Sequence, residues 1–400
     1  MTNTRGRVLV LTSTFPRWED DQVPAFVFTL SKLLTKFYNV CVLAPWDVGA
    51  KKSEIMCGVE VKRFQYFFSG VNLAYGGGIT DNIKKSPLKL LLIPFFMSVQ
   101  IYTVFKEIKH GDYDVIHAHW LIPQGLTAVI ACYLAGINPK QKVVLTCHGS
   151  DVNGFKGKLG IWLKRWVCKR VKCLTVVSDS LKCELETIGN LTPTRVIPMG
   201  TDFISSFFRD SEIERHPKTT IFVGRLIEQK GLWFLLSVFK RVVSEIPEAK
   251  LIIVGEGPLR KDIQEYLTIK GLERNVELAG FRNHSELPAL YNKAKVCIVP
   301  SLKNEGFGLT IVESMGCECI TMASDFSSAR ELIISGENGF LFPVEEDQLF
   351  VLWMKVLVGE QINIGRQARK SVMDKYAWEV TVNKFVRLFN EINTQESKSG

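Results

Sequence analysis

Short apolar runs alternate with longer stretches of helical periodicity along the whole chain. Each run is about five residues long and rich in β-branched side chains, which is typical of a buried strand. In the first half, such runs occupy residues 8–12, 40–44, 115–119, 143–147 and 173–177. The second half repeats the rhythm. Strands that alternate with helices form parallel sheets covered by helices, so the pattern predicts an α/β fold.

The length of the chain predicts two domains. Four hundred residues exceed what one hydrophobic core usually serves. The polar stretch 209–217 precedes a new strand and places the boundary within residues 195–217. We therefore expect an N-terminal domain of residues 1–198 and a C-terminal domain of residues 199–377, with a last helix at about 378–395 that packs back on the first domain.

Residues 300–313 predict a strand end, a glycine turn and the start of a helix. Gly306 and Gly308 permit a close approach of the backbone to a ligand, because they carry no β-carbon. The amides of Phe307, Gly308 and Leu309 then lie at the helix amino end. Unpaired N–H groups and the helix dipole favour an anion at this position, so the turn is a predicted diphosphate site.

Two glutamates flank this turn. Glu305 precedes it, and Glu313 follows about two helical turns later. Carboxylates accept hydrogen bonds from hydroxyl groups, so the pair suits a ligand with a sugar on each side of a diphosphate, such as a nucleotide sugar. The same spacing also occurs in an ordinary strand–turn–helix unit with two surface glutamates, and the neighbouring motifs decide between the two interpretations.

A second strand–loop–helix unit, at residues 220–231, supplies cations. Arg225 offers a bidentate fork for phosphate oxygens, and Lys230 offers a compact positive charge. Gly224 and Gly231 leave the backbone around them unrestricted. The alternative is a solvated arginine and lysine in an ordinary loop, but the motif at 300–313 favours an anion-binding role.

The order and spacing of these motifs resemble those of the retaining glycosyltransferases of family 4. The segment 305–313 is similar to the family's E-x7-E motif with its EGFG lead-in, and the segment 224–231 is similar to its G-R-L-x-x-x-K-G signature. The turn that contains Gly255 and Gly257 resembles the family's turn near the nucleoside, and Arg282 lies in a loop similar to its base-side loop. The resemblance covers roughly residues 195–345.

This resemblance implies both a fold and a set of roles. The fold is GT-B, with two facing Rossmann-like domains and parallel sheets, and the activity is that of a hexosyltransferase. Glu313 would bind the ribose hydroxyls, Arg225 and Lys230 the diphosphate, and Glu305 the transferred sugar. Because the two cations can neutralise the leaving group, we expect no metal and no other cofactor.

The N-terminal half predicts the acceptor side. His119 and His148 follow predicted parallel strands, and side chains at such strand ends point into the ligand crevice. His119 is similar to a histidine that family members place beside the reacting sugar, and His148 belongs to an H-G-S-D pattern similar to that of members that build envelope polysaccharides. Asp151 either binds the acceptor or caps the next segment. His117 is expected to be structural and turned away from His119 by strand alternation.

Two regions depart from the family pattern. Many members contact the diphosphate with a Gly-Gly turn after the first strand, but residues 15–27 contain no glycine here. Arg17 is our hypothetical substitute. A later Gly-Gly is replaced by Ser327 and Ser328, a change that either tunes donor choice or weakens activity.

Positive charge is concentrated in the first half. Residues 1–200 contain 25 Lys and Arg against 14 Asp and Glu, or +11, and residues 201–400 contain 25 against 27, or −2. In the segment 156–170, cations interleave with Leu159, Trp162 and Trp166 at helical spacing. Two interpretations stay open: a helix on an anionic membrane face, or a domain helix with its aromatic face in the core and its charges in water. No recognition motif favours nucleic acid.

The most apolar stretch of the chain is 88–105. A membrane span needs about 20 apolar residues, and Lys89, Pro94, Ser98 and Gln100 interrupt this one. We therefore predict a buried helix that touches the membrane without crossing it.

The sequence favours a cytoplasmic protein, on the inner face of the plasma membrane if it contacts lipid. The short apolar start at 8–11 fits a strand better than a signal peptide. The ten cysteines are scattered, which disfavours a metal site or disulfides and favours a reducing compartment.

The predicted function is transfer of a sugar from a nucleotide-sugar donor to a hydroxyl of a glycan or lipid-linked oligosaccharide, in cell-envelope polysaccharide synthesis. Two alternatives remain: a nucleotide-sugar epimerase or hydrolase on the same fold, and a non-catalytic assembly partner. The absence of G-x-G-x-x-G after the first strand and of G-x-x-x-x-G-K-[ST] argues against a nicotinamide dehydrogenase and a P-loop kinase.

Overall fold

The computed structural model describes residues 5–396 apart from residues 20, 22, 24, 25, 69, 70, 77, 78, 156, 190, 191, 304, 360 and 361. Lys156, in the basic segment, therefore lies outside the described residues. The chain divides into two compact units. Unit 1 comprises Met1–Pro198 and Thr381–Gly400, and unit 2 comprises Met199–Val380.

Unit 1 is built on a parallel sheet with one antiparallel edge strand. Its strands are β1 Arg7–Leu11, β2 Asn39–Pro45, β3 Ser53–Met56, β4 Val59–Phe64, β5 Val115–His119, β6 Val143–Cys147, β7 Cys173–Val176 and β8 Thr194–Val196. Their order is β3-β4-β2-β1-β5-β6-β7-β8, and β3 pairs with β4 in the antiparallel direction. The hairpin of β3 and β4 is an addition that the strand pattern did not predict.

Helices connect the parallel strands of unit 1. They are α1 Phe26–Leu34, α2 Ile79–Lys85, α3 Leu92–His110, α4 Leu126–Leu134, α5 Pro139–Lys142, α6 Ser150–Asn153, α7 Lys158–Cys168 and α8 Asp179–Glu186. A 3₁₀ turn, Pro87–Leu91, precedes α3, and a π-helical turn, Leu121–Gly125, precedes α4.

Unit 2 contains a second sheet, whose strand pairs are all parallel among the described residues. Its strands are β9 His216–Val223, β10 Lys250–Val254, β11 Val276–Gly280, β12 Ala294–Val299, β13 Ile320–Ser324 and β14 Phe340–Phe342, in the order β11-β10-β9-β12-β13-β14. The helices are α9 Leu232–Glu245, α10 Arg260–Lys270, α11 Leu287–Lys293, α12 Leu309–Gly316, α13 Ser327–Arg330, α14 Glu346–Val358 and α15 Ile362–Tyr376, followed by α16 Trp378–Glu396.

Both sheets have the strand order of a doubly wound fold. The direction of winding reverses between β1 and β5 in unit 1, and between β9 and β12 in unit 2. Ligands of such folds bind outside the carboxyl ends of the strands at this reversal. The predicted α/β fold with Rossmann-like parallel sheets is therefore confirmed, and it identifies the strand ends at which functional residues are expected.

The last helix adds aromatic side chains to unit 1. From Thr381 onward, α16 belongs to that unit. The ring of Phe389 packs edge-to-face on Tyr38 with centroids 5.8 Å apart, and Phe385 lies 5.0 Å from the ring of His117. The Tyr38 hydroxyl donates to Asn390 Oδ1 at 2.8 Å. These contacts attach the carboxyl-terminal helix to the sheet of unit 1.

Helix α7 does not bury its aromatic face. Leu159 and Trp162 are 64% and 57% exposed. In contrast, the side chain of Lys164 is buried and donates to the carbonyls of Val152 and Gly154. The interpretation of α7 as a domain helix with its aromatic face in the core and its charges in water is therefore wrong.

Helix α3 is buried on one face only. Its inner stripe packs in the domain and consists of Leu92, Phe96, Gln100, Val104 and Ile108. Leu88 and Leu91, in the 3₁₀ turn that leads into α3, and Phe95 of α3 itself are 77%, 69% and 52% exposed. The prediction of a buried helix thus fails for the outer face, because apolar composition alone does not say which side meets the core. Among the residues that the structure describes, Pro87–His110 is the one helix long and apolar enough to cross a membrane, and 22% of its most apolar window is buried.

Candidate functional site

Three loops meet at the carboxyl ends of β9, β10 and β12. The amide of Leu226, after β9, donates to the carbonyl of Glu256, after β10, at 2.9 Å. The amide of Leu302, after β12, donates to the carbonyl of Gln229 at 2.9 Å. Three motifs that are far apart in the sequence are therefore in backbone contact, at the point where the winding of the sheet reverses.

This backbone contact requires glycine at two positions. A β-carbon on Gly255, where φ is +136°, would lie 2.0 Å from the carbonyl oxygen of Gly224. One on Gly231, where φ is +70°, would lie 1.9 Å from the carbonyl oxygen of Pro300. At both positions, the short distance to the carbonyl oxygen and the positive φ angle exclude any residue with a β-carbon. Gly257 approaches the same loop, because its β-carbon would lie 2.3 Å from the carbonyl oxygen of Leu226.

The predicted cation and the first predicted carboxylate form an ion pair. Lys230 Nζ lies 2.8 Å from Glu305 Oε1, and the two side chains are 22% and 27% exposed. The hydroxyl of Ser301 donates to the same oxygen of Glu305. Arg225 is exposed on the same loop as Lys230. One positive charge therefore lies directly beside Glu305, and that of Arg225 lies on the same loop and is exposed to solvent.

The glycine turn leads into α12 as predicted from the sequence. Gly308, with φ of +99°, occupies the cap position, and Leu309 is the first helical residue. Phe307 is buried, and its ring lies 5.4 Å from that of Tyr376, which anchors the turn that begins at Gly306. The amino end of α12 is therefore adjacent to Glu305, and its first amides have no partners within the helix.

Glu313 is buried and held by two side chains that the sequence did not single out. His284 Nε2 lies 2.9 Å from Glu313 Oε1, and the Tyr291 hydroxyl donates to Oε2 at 3.2 Å. Glu313 is 5% exposed. Burial acts to lower the pKa of His284, but the hydrogen bond and charge of Glu313 outweigh it, and the pKa is raised. In the sequence, the one signal for a role of His284 was its position two residues after Arg282. The sequence gives no signal for a role of Tyr291.

Arg282 lies in the loop after β11 and is exposed. Its Nη1 is 3.6 Å from Glu286 Oε1, four residues later in the chain. The base-side role that the resemblance implies for Arg282 stays a prediction.

His119, which the resemblance places near the reaction centre, contacts His148, which was predicted to lie on the acceptor side. His119 ends β5, His148 follows β6, and Nδ1 of His119 lies 3.0 Å from Nε2 of His148. The rings of Phe26 and Trp120 each lie 5.0 Å from that of His148. Burial lowers the pKa of His148 to about 4, although Asp151 opposes this shift. Burial and the neighbouring histidines also lower the pKa of His119, so the pair is neutral at physiological pH.

Asp151 binds backbone amides. Its Oδ1 accepts from the amides of His148 and Gly149, both at 3.0 Å, and its Oδ2 accepts from the amide of Leu121 at 2.8 Å. The carboxylate thus fixes the loops that follow β5 and β6. Of the two roles that the sequence left open, this geometry favours capping over binding of the acceptor.

His117 has a structural role but not the predicted orientation. Its Nε2 lies 2.7 Å from the hydroxyl of Thr146, and the residue is buried. Its ring lies only 4.2 Å from that of His119. The prediction that alternation separates the two was wrong, because residues two apart on a strand point to the same face. Burial lowers the pKa of His117 to about 3.

Arg17 does not replace the missing glycine turn. Its guanidinium donates twice to Asp21, at 2.8 Å in each case, and once to Asp47 at 3.2 Å. It also lies 4.5 Å from the ring of Trp18. Two carboxylates already neutralise this cation, so the hypothesis of a phosphate contact from Arg17 is not supported. Four positions of the segment 15–27 lie outside the described residues.

The cysteines are free thiols throughout. Eight are buried, and Cys57 and Cys183 are exposed. Within the described part of the chain, no group of three or more His, Cys, Asp or Glu side chains is arranged to hold a metal ion.

Two family models match consecutive parts of the chain. The model for glycosyltransferase family 4 matches residues 23–203, and that for glycosyl transferases group 1 matches residues 204–380. The chain is 26% identical over 298 residues to a phosphatidyl-myo-inositol mannosyltransferase of Mycolicibacterium smegmatis, covering 72% of this chain and 74% of that protein. It is also 26% identical over 310 residues to N-acetyl-alpha-D-glucosaminyl L-malate synthase of Bacillus anthracis, covering 72% and 77%.

Solved structures share the fold. Sucrose-phosphate synthase from Thermosynechococcus elongatus superposes with a TM-score of 0.79 at 19% identity, covering 98% of this chain and all of that one (100%). Anabaena Alr3699/HepE, solved in complex with UDP and glucose, has a TM-score of 0.73 at 18% identity, covering 96% and 99%. With the two family matches and the paired parallel sheets, these similarities show that the chain belongs to the family-4 glycosyltransferases of the GT-B fold, and that it is a glycosyltransferase.

Proposed function

We propose that this glycosyltransferase takes a sugar from a nucleotide-sugar donor and transfers it with retention of configuration to a hydroxyl of a glycan or lipid-linked oligosaccharide. The observation that carries the proposal is the contact between Lys230 and Glu305 at the amino end of α12. It brings together a cation for phosphate, a carboxylate for sugar hydroxyls and a helix end that favours anions.

The donor would occupy the strand ends of unit 2. Glu313 would accept hydrogen bonds from the ribose hydroxyls, while His284 and Tyr291 hold its carboxylate in place. Arg225 and Lys230 would bind the diphosphate together with the amides after Gly306. Loops that approach one another through Gly224, Gly255 and Gly257 would provide the surface, and Arg282 would border it on the base side, as the resemblance implies.

Stabilisation of the leaving group would be the main catalytic term. Cleavage of the bond between sugar and diphosphate leaves negative charge on the phosphate, and cations and amide dipoles placed in advance stabilise that charge without reorganisation. Lys230 and Arg225 supply this charge themselves, so the proposal includes no metal cofactor. Glu305 would hold the transferred sugar through its hydroxyls, and the resemblance assigns His119 to the reacting centre.

The first test replaces the cation. Lys230→Ala should lower the turnover number by about 100-fold or more, the loss typical of a group that stabilises developing charge, with an unchanged melting temperature. Lys261→Ala is the matched control, because Lys261 is an exposed lysine of unit 2 with only a loose ion pair to Glu265 at 3.8 Å. Turnover at the wild-type level in Lys230→Ala would refute the proposed role.

A binding panel separates the alternatives. UDP, GDP and ADP, with their common sugar conjugates, are tested by thermal shift; UDP comes first because Alr3699/HepE was solved with UDP and with UDP-glucose. Donor consumption without any acceptor would favour an epimerase or hydrolase. No binding across the panel would favour a non-catalytic partner. The configuration of the product at the anomeric carbon, measured by NMR, tests retention.

The proposals for the acceptor and the location rest on unit 1. We propose a lipid-linked acceptor in envelope polysaccharide synthesis and a cytoplasmic protein that is peripheral on the inner face of the plasma membrane. Support comes from the excess of +11 in residues 1–200 and from the exposed Leu159 and Trp162 of the basic helix α7. One relative is, by its name, a mannosyltransferase for phosphatidyl-myo-inositol, which is a lipid.

A further inference from the structure

Two separate patches of unit 1 expose large apolar side chains. The α3 patch comprises Leu88, Leu90, Leu91 and Phe95 with the neighbouring Phe68, which are 77%, 51%, 69%, 52% and 78% exposed. The α7 patch comprises Phe155, Leu159, Ile161 and Trp162, which are 54%, 64%, 45% and 57% exposed. Scattered single apolar residues are normal on a surface, but contiguous groups of this size mark an interaction site.

The topology of unit 1 brings the two patches to the same side of the sheet. Helix α3 connects β4 to β5, α4 connects β5 to β6, and α7 connects β6 to β7. All three connections run in the same direction across the sheet, so right-handed crossovers place the three helices on one face. Tyr133 of α4 contacts Trp166 of α7 with ring centroids 6.5 Å apart, and α3 packs against α4. With α4 between them, α3 and α7 are about 20 Å apart, at roughly 8–10 Å per helix pair.

The patches also lie at the same edge of the sheet. Each of these helices runs back from the carboxyl end of one strand to the amino end of the next. Most of the two patches is carried by the 3₁₀ turn Pro87–Leu91 with the first turn of α3, and by the first turns of α7, and these segments therefore lie at the edge where the strands end. His119 ends β5 and His148 follows β6, both at that edge. The apolar rim formed by the two patches is thus on the same side of unit 1 as the histidines.

Charge favours one kind of partner for this rim. Residues 157–170 contain five cations and no acidic residue, and Lys158, Arg165 and Lys169 are exposed around the α7 patch. Lys85 is exposed and Lys89 is partly exposed beside the α3 patch. An apolar surface fringed by lysine and arginine matches an anionic bilayer, whose headgroups attract the cations while the apolar side chains enter the acyl boundary.

We propose that α3 and α7 dock together on an anionic membrane and turn the carboxyl edge of the unit 1 sheet toward the bilayer. This extends the proposed peripheral location, on which it builds, by naming a second contact element and an orientation. Helix α3 lies on the membrane and does not cross it, because its inner stripe, including the fully buried Gln100, packs inside the domain. The orientation would bring the hydroxyl of a lipid-linked acceptor to the edge that carries His119.

Vesicle binding tests the two-element surface. The full chain, without nucleotide or acceptor, is co-sedimented with phosphatidylcholine vesicles that contain either no or about 25% phosphatidylglycerol. We expect binding to the anionic vesicles, weakened when salt rises from about 0.1 to about 0.5 M. The substitutions L88S/L91S and L159S/W162S should each weaken it by about tenfold or more.

A matched control variant removes two similarly exposed apolar side chains from unit 2, away from the two patches. Ile269 and Val358 of unit 2 are 76% and 75% exposed, so I269S/V358S should bind like the wild type. Wild-type binding of L88S/L91S would overturn the two-element surface. A different combination of results would show that a second copy covers the rim. The chain would form a dimer, both patch variants would be monomeric, and no vesicle binding would be seen. The membrane proposal would then be wrong.

Labels on cysteine test the orientation. Cys57 is exposed and lies between β3 and β4, at the amino end of β4 and thus at the opposite edge. An environment-sensitive fluorophore on Cys57, in C183S, should not respond to vesicles. The same fluorophore on L91C, in C57S/C183S, should brighten and be quenched by spin-labelled lipid. Equal responses at both positions would overturn the orientation. Lys230→Ala should bind vesicles normally, so loss of donor chemistry and loss of docking are measured independently.

Discussion

The histidine cluster of unit 1 predicts a specific acid sensitivity. His117, His119 and His148 are held neutral because burial lowers the pKa of each. In the unfolded chain their pKa is about 6.5. Below that pH the histidines bind protons in the unfolded state but stay neutral in the folded state, so the free energy of unfolding falls as the pH is lowered. The stabilising contribution is complete above about pH 6.5 and is lost progressively toward the folded pKa.

The magnitude follows from the shift at His148. With a folded pKa of about 4 and an unfolded pKa of about 6.5, lowering the pH from about 7.5 to about 5 removes at most about 2 kcal/mol through this residue. His117, with a folded pKa of about 3, removes a similar amount. In His148→Gln, the amide can still donate to His119 Nδ1, but no proton binds at position 148. The variant should therefore lose about 2 kcal/mol less than the wild type over this pH interval.

The assay must report on unit 1 alone, since a chain of two units need not unfold in one step. Hydrogen exchange by mass spectrometry in urea, read on peptides that cover Val115–His119 and Val143–Cys147, gives a regional free energy at each pH. Carboxylates that titrate in the same interval are common to both proteins and cancel in the difference. His216→Gln, which removes an exposed histidine of unit 2, is the control. If wild type and His148→Gln show the same loss within about 0.5 kcal/mol, the reasoning is refuted.

Further predictions concern the donor side in unit 2. Gly255→Ala should lower the melting temperature and weaken UDP binding by about tenfold or more, because its β-carbon would lie 2.0 Å from the carbonyl of Gly224. Gly271→Ala, where φ is +67° and no atom lies within 4 Å, should cost only the dihedral strain of about 1 kcal/mol and leave binding unchanged. Glu313→Gln should weaken UDP binding by about tenfold in calorimetry, through the loss of charged hydrogen bonds. The same variant should bring the pKa of His284 down in an NMR titration, since Glu313 is what raises it, and an unchanged titration would contradict that cause.

Much of the fold could be predicted because local pattern determines it. The apolar runs at 115–119 and 143–147 coincide with β5 and β6, since buried parallel strands are continuous apolar stretches. The hairpin of β3 and β4 was missed, because Ser53–Met56 is a short edge strand with little apolar signal. The outer face of α3 was also misjudged. Periodicity finds the helix, but only tertiary packing decides which of its apolar residues are covered.

The candidate site shows the same division. Residue types and spacing predicted Glu305, Lys230 and the glycine turn, because these features depend on neighbours in sequence. The partners of Glu313 could not be predicted in this way, since His284 and Tyr291 are brought to it from other elements by the packing of unit 2. The orientation of His117 was predictable. The error was to place residues that are two apart on opposite faces, although side chains in a strand alternate with a period of two.

The structure adds a requirement that the motifs alone do not express. Charges at a partly covered site need partners, because a cation without one loses hydration and gains nothing in return. Lys230 therefore pairs with Glu305, and Glu313 pairs with His284. The proposed donor would offer a diphosphate to Lys230 and hydroxyls to Glu305, while Glu313 would keep His284 and Tyr291 and accept from the ribose with its remaining lone pairs. Lys230 would then exchange one anionic partner for another, whereas a free sugar that separated Lys230 from Glu305 would supply no anion in return. The pairing thus favours the activated sugar over the free one.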